Sequence, residues 1–89
     1  MSAVEDWSVI LTVSDHDDQT EAEARLTMRG DAQLSGHGKA RRNPADPNVT
    51  KIGEEIAVAR ALSDLAHELL HTATTDVEYV THEHARLHM

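Results

Sequence analysis

Two stretches of this 89-residue chain alternate between apolar and polar residues, and the apolar side of both is built largely from very small side chains. In residues 20 to 29, Ala22, Ala24, Leu26 and Met28 oppose Glu21, Glu23, Arg25, Thr27 and Arg29; in residues 33 to 41, Leu34, Gly36, Gly38 and Ala40 oppose Gln33, Ser35, His37, Lys39 and Arg41. A period of two is the pattern of a half-buried strand. Alanine and glycine keep the buried face shallow, so a helix can approach it closely. Residues 7 to 14 alternate as well, with Trp7, Val9, Leu11 and Val13 on one face and Ser8, Ile10, Thr12 and Ser14 on the other. Polar turns at Asp15 to Gln19 and around Gly30-Asp31 separate the three runs. They predict an antiparallel meander in which each strand has one buried and one wet face.

The side chains also suggest a register. A loop from Gly30 to Ala32 would set Met28 opposite Leu34, Leu26 opposite Gly36 and Ala22 opposite Ala40, with Glu23 facing Lys39 and Glu21 facing Arg41 on the wet side. Residues 41 to 50 hold both prolines and read as a loop that ends the sheet. A helix is predicted from Lys51 to Ala73, with Thr50 as its N-cap and Glu54 and Glu55 near its positive end. At about 100° per residue, Leu65, Val58, Leu69, Leu62, Ala73, Ala66, Ala59, Ile52, Leu70 and Ile56 fill an apolar arc wide enough to cover the sheet. Arg60, Asp64, His67, Glu68 and His71 lie opposite. Thr75, followed three residues later by Glu78, signals a second, short helix through Thr81. The expected fold is α+β in the order β-β-β-α-α. One domain spans residues 7–82, residues 1–6 are expected to be disordered, and the histidine-rich residues 83–89 extended or frayed.

Composition narrows the function classes. Trp7 and Tyr79 are the only aromatic residues, too few for a platform that stacks single-stranded nucleic acid. Cysteine is absent, which excludes disulfide frameworks and thiolate metal sites. Apolar runs are far shorter than the roughly 18 residues of a membrane span, and no basic, apolar leader opens the chain. A cytoplasmic protein without a membrane partner is expected. The formal charge of −8 divides unevenly: +4 between Arg25 and Lys51, −12 elsewhere. Arg25, Arg29, Lys39, Arg41, Arg42 and Lys51 make the basic group, the candidate contact for phosphate or another partner. Across the strands, Glu21 and Glu23 are placed to neutralise part of it.

Other motifs point elsewhere. His67-Glu68-Leu69-Leu70-His71 has the spacing of a zinc peptidase helix, in which two histidines hold the metal and the glutamate acts on its water. The extension found in one large class of these enzymes is missing, since Thr74 and Val77 occupy its glycine and histidine positions. A metal-dependent hydrolase is thus the remote alternative, and the expectation is a non-enzyme with no cofactor and no small-molecule substrate. His67 and His71, or His82, His84 and His88, suit adventitious zinc or nickel. Asp15, Asp17 and Asp18 lack the glycine and distal glutamate of a calcium loop and read as a solvated turn. The first strand is apolar, lies at a sheet edge and carries Ile10 on its wet face, which suggests that a second copy covers it.

The segments Asn43-Pro44-Ala45-Asp46-Pro47-Asn48-Val49, Ile52-Gly53-Glu54-Glu55 and Ala59-Arg60-Ala61-Leu62-Ser63-Asp64-Leu65, with Trp7, Asp15-His16-Asp17 and Val80-Thr81-His82-Glu83, carry a family resemblance. Over roughly residues 7 to 88 the chain resembles small actinobacterial proteins of a domain-of-unknown-function family described as having a double-stranded-RNA-binding-domain-like fold. Thr50 stands where that family is expected to carry proline. The resemblance implies a three-stranded sheet backed by a long helix, a stress- or dormancy-associated role, and a likeness in fold to ribosome hibernation factors. A non-enzymatic interaction module, homodimeric and ribosome-associated, is the resulting expectation, with a protein-binding or structural homodimeric regulator without a nucleic-acid partner as the alternative.

Overall fold

A computed structural model of the chain describes residues 3–41 and 50–81. Three strands, β1 (Ser8–His16), β2 (Gln19–Thr27) and β3 (Gln33–Arg41), form an antiparallel sheet in the order β1-β2-β3, and one helix, α1 (Thr50–Thr81), crosses one face of it. The α+β class and the meander agree with the sequence pattern. Asp17 and Asp18 make the turn between β1 and β2, and Asp17 takes the left-handed conformation (φ 52°) that short polar side chains tolerate. At the other end a short 3₁₀ turn, Arg29–Asp31, joins β2 to β3, with positive φ at Gly30 and Asp31.

That turn corrects the predicted register by two residues. Because Gly30 sits at its centre and the Met28 amide donates to the Ala32 carbonyl at 2.8 Å, Leu26 faces Leu34, Ala22 faces Gly38, and Thr20 faces Ala40. On the wet face Glu21 faces Lys39 and Glu23 faces His37, in place of the expected Glu23–Lys39 and Glu21–Arg41 pairs. An even shift leaves every side chain on its expected face, so the inner row is as anticipated while its partners are not.

The core is small. Ala22, Ala24 and Leu26 of β2 and Ala40 of β3 meet Ala57, Ala61 and Leu65 of α1, with Met28, Leu34, Val58 and Leu69 partly buried around them. Gly36 and Gly38 permit this contact: a Cβ on either would collide with the helix backbone, at Leu65 and Ala61 for Gly36 and at Ala57 and Ala61 for Gly38. The helix thus lies directly on the strand backbone. Of the fully buried side chains Thr20 is the largest, and its hydroxyl donates to the Asp15 carboxylate at 2.6 Å, tying β2 back to β1 beside the hairpin turn.

Three further expectations change. The predicted short helix from Thr75 does not exist separately, because α1 runs unbroken to Thr81; the Thr74 hydroxyl donates to the Leu70 carbonyl one turn back, as a threonine inside a helix does. Secondly, α1 meets the sheet along Gly53, Ala57, Ala61 and Leu65, and only Leu65 of these belongs to the predicted arc. Val58 and Leu69 of that arc pack at the rim of the core, while Ile52, Ile56 and Leu62 stand exposed, because the glycines of β3 accept only a small-residue face. Thirdly, β1 has no buried face. The helix lies over β3 and β2, leaving Val9 and Leu11 on the inner side 45% and 42% exposed, against 0% for Ala24 beside Leu11 on β2.

Candidate functional site

Two surfaces compete as the working site. The first is the outer, polar face of the sheet, which holds most of the predicted basic group. Here carboxylates of the same chain meet the cations: Arg25 Nη2 lies 3.0 Å from Glu23 Oε1, Lys39 Nζ lies 3.8 Å from Glu21 Oε1, and Arg29 Nε, at the turn, lies 3.2 Å from Glu5 Oε1. His37 Nε2 is a further 4.0 Å from Glu23 Oε2. These are solvent-exposed pairs, worth little to stability, but they leave little positive potential for a phosphate. A shallow depression on this face is lined by Thr12, Ser14, Glu21, Glu23 and His37, so its rim is acidic as well as basic. Arg41, at the end of β3, and Lys51, in the first turn of α1, are exposed and have no ion pair among the described residues. Arg42 lies outside the described residues, and so do His82, His84, His88 and most of the proline-containing loop.

The second surface comprises the inner face and edge of β1. In a two-residue hairpin the closing pair, His16 and Gln19, is hydrogen-bonded, so even-numbered residues of β1 turn their backbone groups to β2 and odd-numbered ones turn theirs outward. Applied to β3 through Gly36 and Gly38, the same alternation directs the backbone of His37 and Lys39 outward, and the side-chain contacts agree. Asp64 Oδ2 accepts the His37 amide at 2.8 Å, and Arg60 Nη1 donates to the Lys39 carbonyl at 2.7 Å. Two polar residues one helical turn apart therefore seal the β3 edge. Nothing in the sequence singles out His37 or Lys39 as their partners.

At the β1 edge, the outward backbone groups of Val9, Leu11 and Val13 have no hydrogen bond among the described residues, and no charge, proline or bulge protects the strand there. Their side chains, in line with Trp7, form an exposed apolar row beside α1, which also exposes Leu62, Ile56 and Ile52. Strand floor and helix wall make an apolar trough. Ile10, on the other face of β1 opposite Arg25, is also exposed.

The peptidase-like segment falls on the polar side of α1, with His67, Glu68 and His71 all exposed. His67 Nδ1 lies 2.8 Å from the Ser63 carbonyl oxygen, so that nitrogen holds the ring proton. Among the described residues no third histidine or carboxylate joins these groups in a cluster able to hold a metal. Asp15 and Asp17 serve the hairpin, Asp15 as the acceptor for the Thr20 hydroxyl and Asp17 in the turn itself. No described helix is long and apolar enough to cross a membrane.

A protein-family model described as Rv2632c-like matches residues 5–86. The uncharacterized protein Mb1767 of Mycobacterium bovis is 51% identical over 81 residues, which are 91% of this chain and 85% of that protein. The uncharacterized protein Rv2632c of Mycobacterium tuberculosis is 48% identical over 71 residues, 80% of this chain and 75% of its own length. A crystal structure of Rv2632c superposes with a TM-score of 0.82 at 40% identity, covering 92% of this chain and 96% of that one.

Proposed function

The chain belongs to the Rv2632c-like family, and we propose that it is a non-enzymatic protein-binding module whose working surface is the trough between β1 and α1. One observation carries this reading: an apolar strand row and its open backbone edge stand exposed in a small protein whose other edge is sealed by Asp64 and Arg60. A soluble monomer has no use for such a patch, and exposed apolar patches of this kind mark contact surfaces. The mutual neutralisation of Arg25, Arg29 and Lys39 by Glu23, Glu5 and Glu21 supports the same choice over a phosphate-binding sheet.

A second reading, a stress- or dormancy-associated protein acting on the ribosome with a double-stranded-RNA-binding-domain-like fold, draws on Arg41 and Lys51, which have no ion pair among the described residues. Against it, duplex-RNA binders contact phosphates across the groove, and the first turns of α1 offer Lys51 together with Glu54 and Glu55. Two experiments separate these readings. A photo-crosslinking residue at position 11 should trap a protein in cells that make this chain, and one at position 35 on the outer face should not; equal yields would contradict the trough. Purified chain should not sediment with ribosomes at low salt. Salt-sensitive sedimentation that Arg41→Glu and Lys51→Glu abolish would favour the second reading.

A further inference from the structure

We infer that the open edge of β1 takes up, as a fourth strand, an extended segment of another protein whose apolar residues alternate and whose two ends carry lysine or arginine. This inference rests on the protein-binding reading above and names the chemistry of its partner.

The backbone is the first argument. β1 pairs with β2 residue for residue from Ser8 to His16, so no bulge turns it away, and between Ser8 and Ser14 it holds no charge, glycine or proline. The outward amides and carbonyls of Val9, Leu11 and Val13 therefore form a regular half-ladder. At β3 the equivalent groups of His37 and Lys39 are already taken by Asp64 and Arg60, so β1 is the edge left to be extended. A strand added there gains main-chain hydrogen bonds along the half-ladder, and its alternate side chains continue the rows of Leu11 on the inner face and Ile10 on the outer one.

Charge selects the occupant. No lysine or arginine precedes Arg25, whereas the first 24 residues hold seven carboxylates. Five of them bracket the apolar edge: Glu5 and Asp6 stand just before β1, and Asp15, Asp17 and Asp18 stand at its far end and in the turn. Glu5 is matched by Arg29, which leaves Asp6 in excess at the first end. At the second end Arg41 shares a row with His16 and Gln19 but lies two strands away, about 10 Å, so three carboxylates outweigh it there. A second β1 does not suit this edge, because antiparallel pairing centred on Leu11 would set Glu5 of each copy against Asp17 of the other. A basic-ended segment meets both ends favourably. At about 3.4 Å per residue, the stretch from Asp6 to Asp15 asks for a segment of about ten residues.

Amide hydrogen exchange of the full chain tests this, with a synthetic peptide of six alternating valines and threonines and two lysines at each end as the probe. An excess of the peptide should slow exchange at Val9, Leu11 and Val13 by about tenfold or more and leave His37 unchanged. The same peptide with glutamates at its ends, or with every amide of its apolar segment N-methylated, should give no protection. Asp6→Lys together with Asp18→Lys should weaken binding of the lysine-ended peptide about tenfold with an unchanged circular dichroism spectrum. No protection at millimolar lysine-ended peptide, or equal protection by the glutamate-ended or N-methylated peptide, would overturn the inference. So would protection of the three amides that rises with the concentration of the chain alone, which would make the occupant another copy. If position 11 traps a different protein in cells while the peptide protects nothing, the protein-binding reading survives and strand addition falls; if neither occurs, both fall.

Discussion

The two edges of the sheet have the same backbone chemistry and opposite treatment. At β3 the outward amide of His37 and carbonyl of Lys39 are taken up by Asp64 and Arg60, and Gly36 and Gly38 let α1 rest against the strand itself. At β1 the outward groups of Val9, Leu11 and Val13 meet nothing among the described residues, and their side chains stand partly in solvent. A single helix about 48 Å long cannot centre on three strands and also close in on the glycine strand. It follows the glycines. The small residues that allow tight contact on one side therefore expose the other side, and the exposed side is where a function by contact belongs.

The largest test of this contrast is Gly38→Ala. Its new methyl meets the backbone of Ala57 and Ala61, which cannot rotate aside, so the substitution should destabilise the fold by about 3 kcal/mol in urea denaturation. A loss below about 1 kcal/mol would mean that the helix does not rest on β3. Thr20→Val keeps the shape of the buried side chain but removes its hydrogen bond to Asp15, and a loss of about 1–2 kcal/mol is expected. Asp64→Ala removes the acceptor of the His37 amide. About 1 kcal/mol should be lost, and hydrogen exchange at His37 should accelerate while exchange at Ala24 remains slow. Unchanged exchange at His37 would show that its edge is not sealed as described. Lys39→Gln, which breaks an exposed pair with Glu21, should change stability by less than about 0.5 kcal/mol.

Much of this architecture could be read from the chain, for identifiable reasons. Strict alternation at residues 20–29 and 33–41 assigns the faces, and glycine and alanine on one face announce a closely packed helix. The register could not be decided the same way. A shift of two preserves both faces, and Glu21 or Glu23 makes an equally good partner for Lys39, so the choice falls to the positive φ values at Gly30 and Asp31. Apolar periodicity also failed to tell which side of α1 meets the sheet, since it weights Leu and Ile above Ala57 and Ala61. Steric fit to Gly36 and Gly38 reverses that order. Thr75 and Glu78 resemble a helix start, yet the chain continues helical through them, with Thr74 bonded inward. As for the site, the basic group was legible as charge, but its pairing with Glu5, Glu21 and Glu23 depends on the turn and the register. The open β1 edge was foreseen from its position in the meander; the exposure of its inner face follows from where the helix lies.

The central claim is that the β1 side is a protein contact surface, and Trp7, the sole tryptophan, stands at the head of the apolar row at 48% exposure. Its fluorescence is the direct test. On titration with the protein that position 11 traps, the emission should shift to the blue and resist acrylamide quenching, and in Leu11→Asp it should stay red and quench freely. Emission that does not change on adding that protein, in wild type and variant alike, would contradict the account.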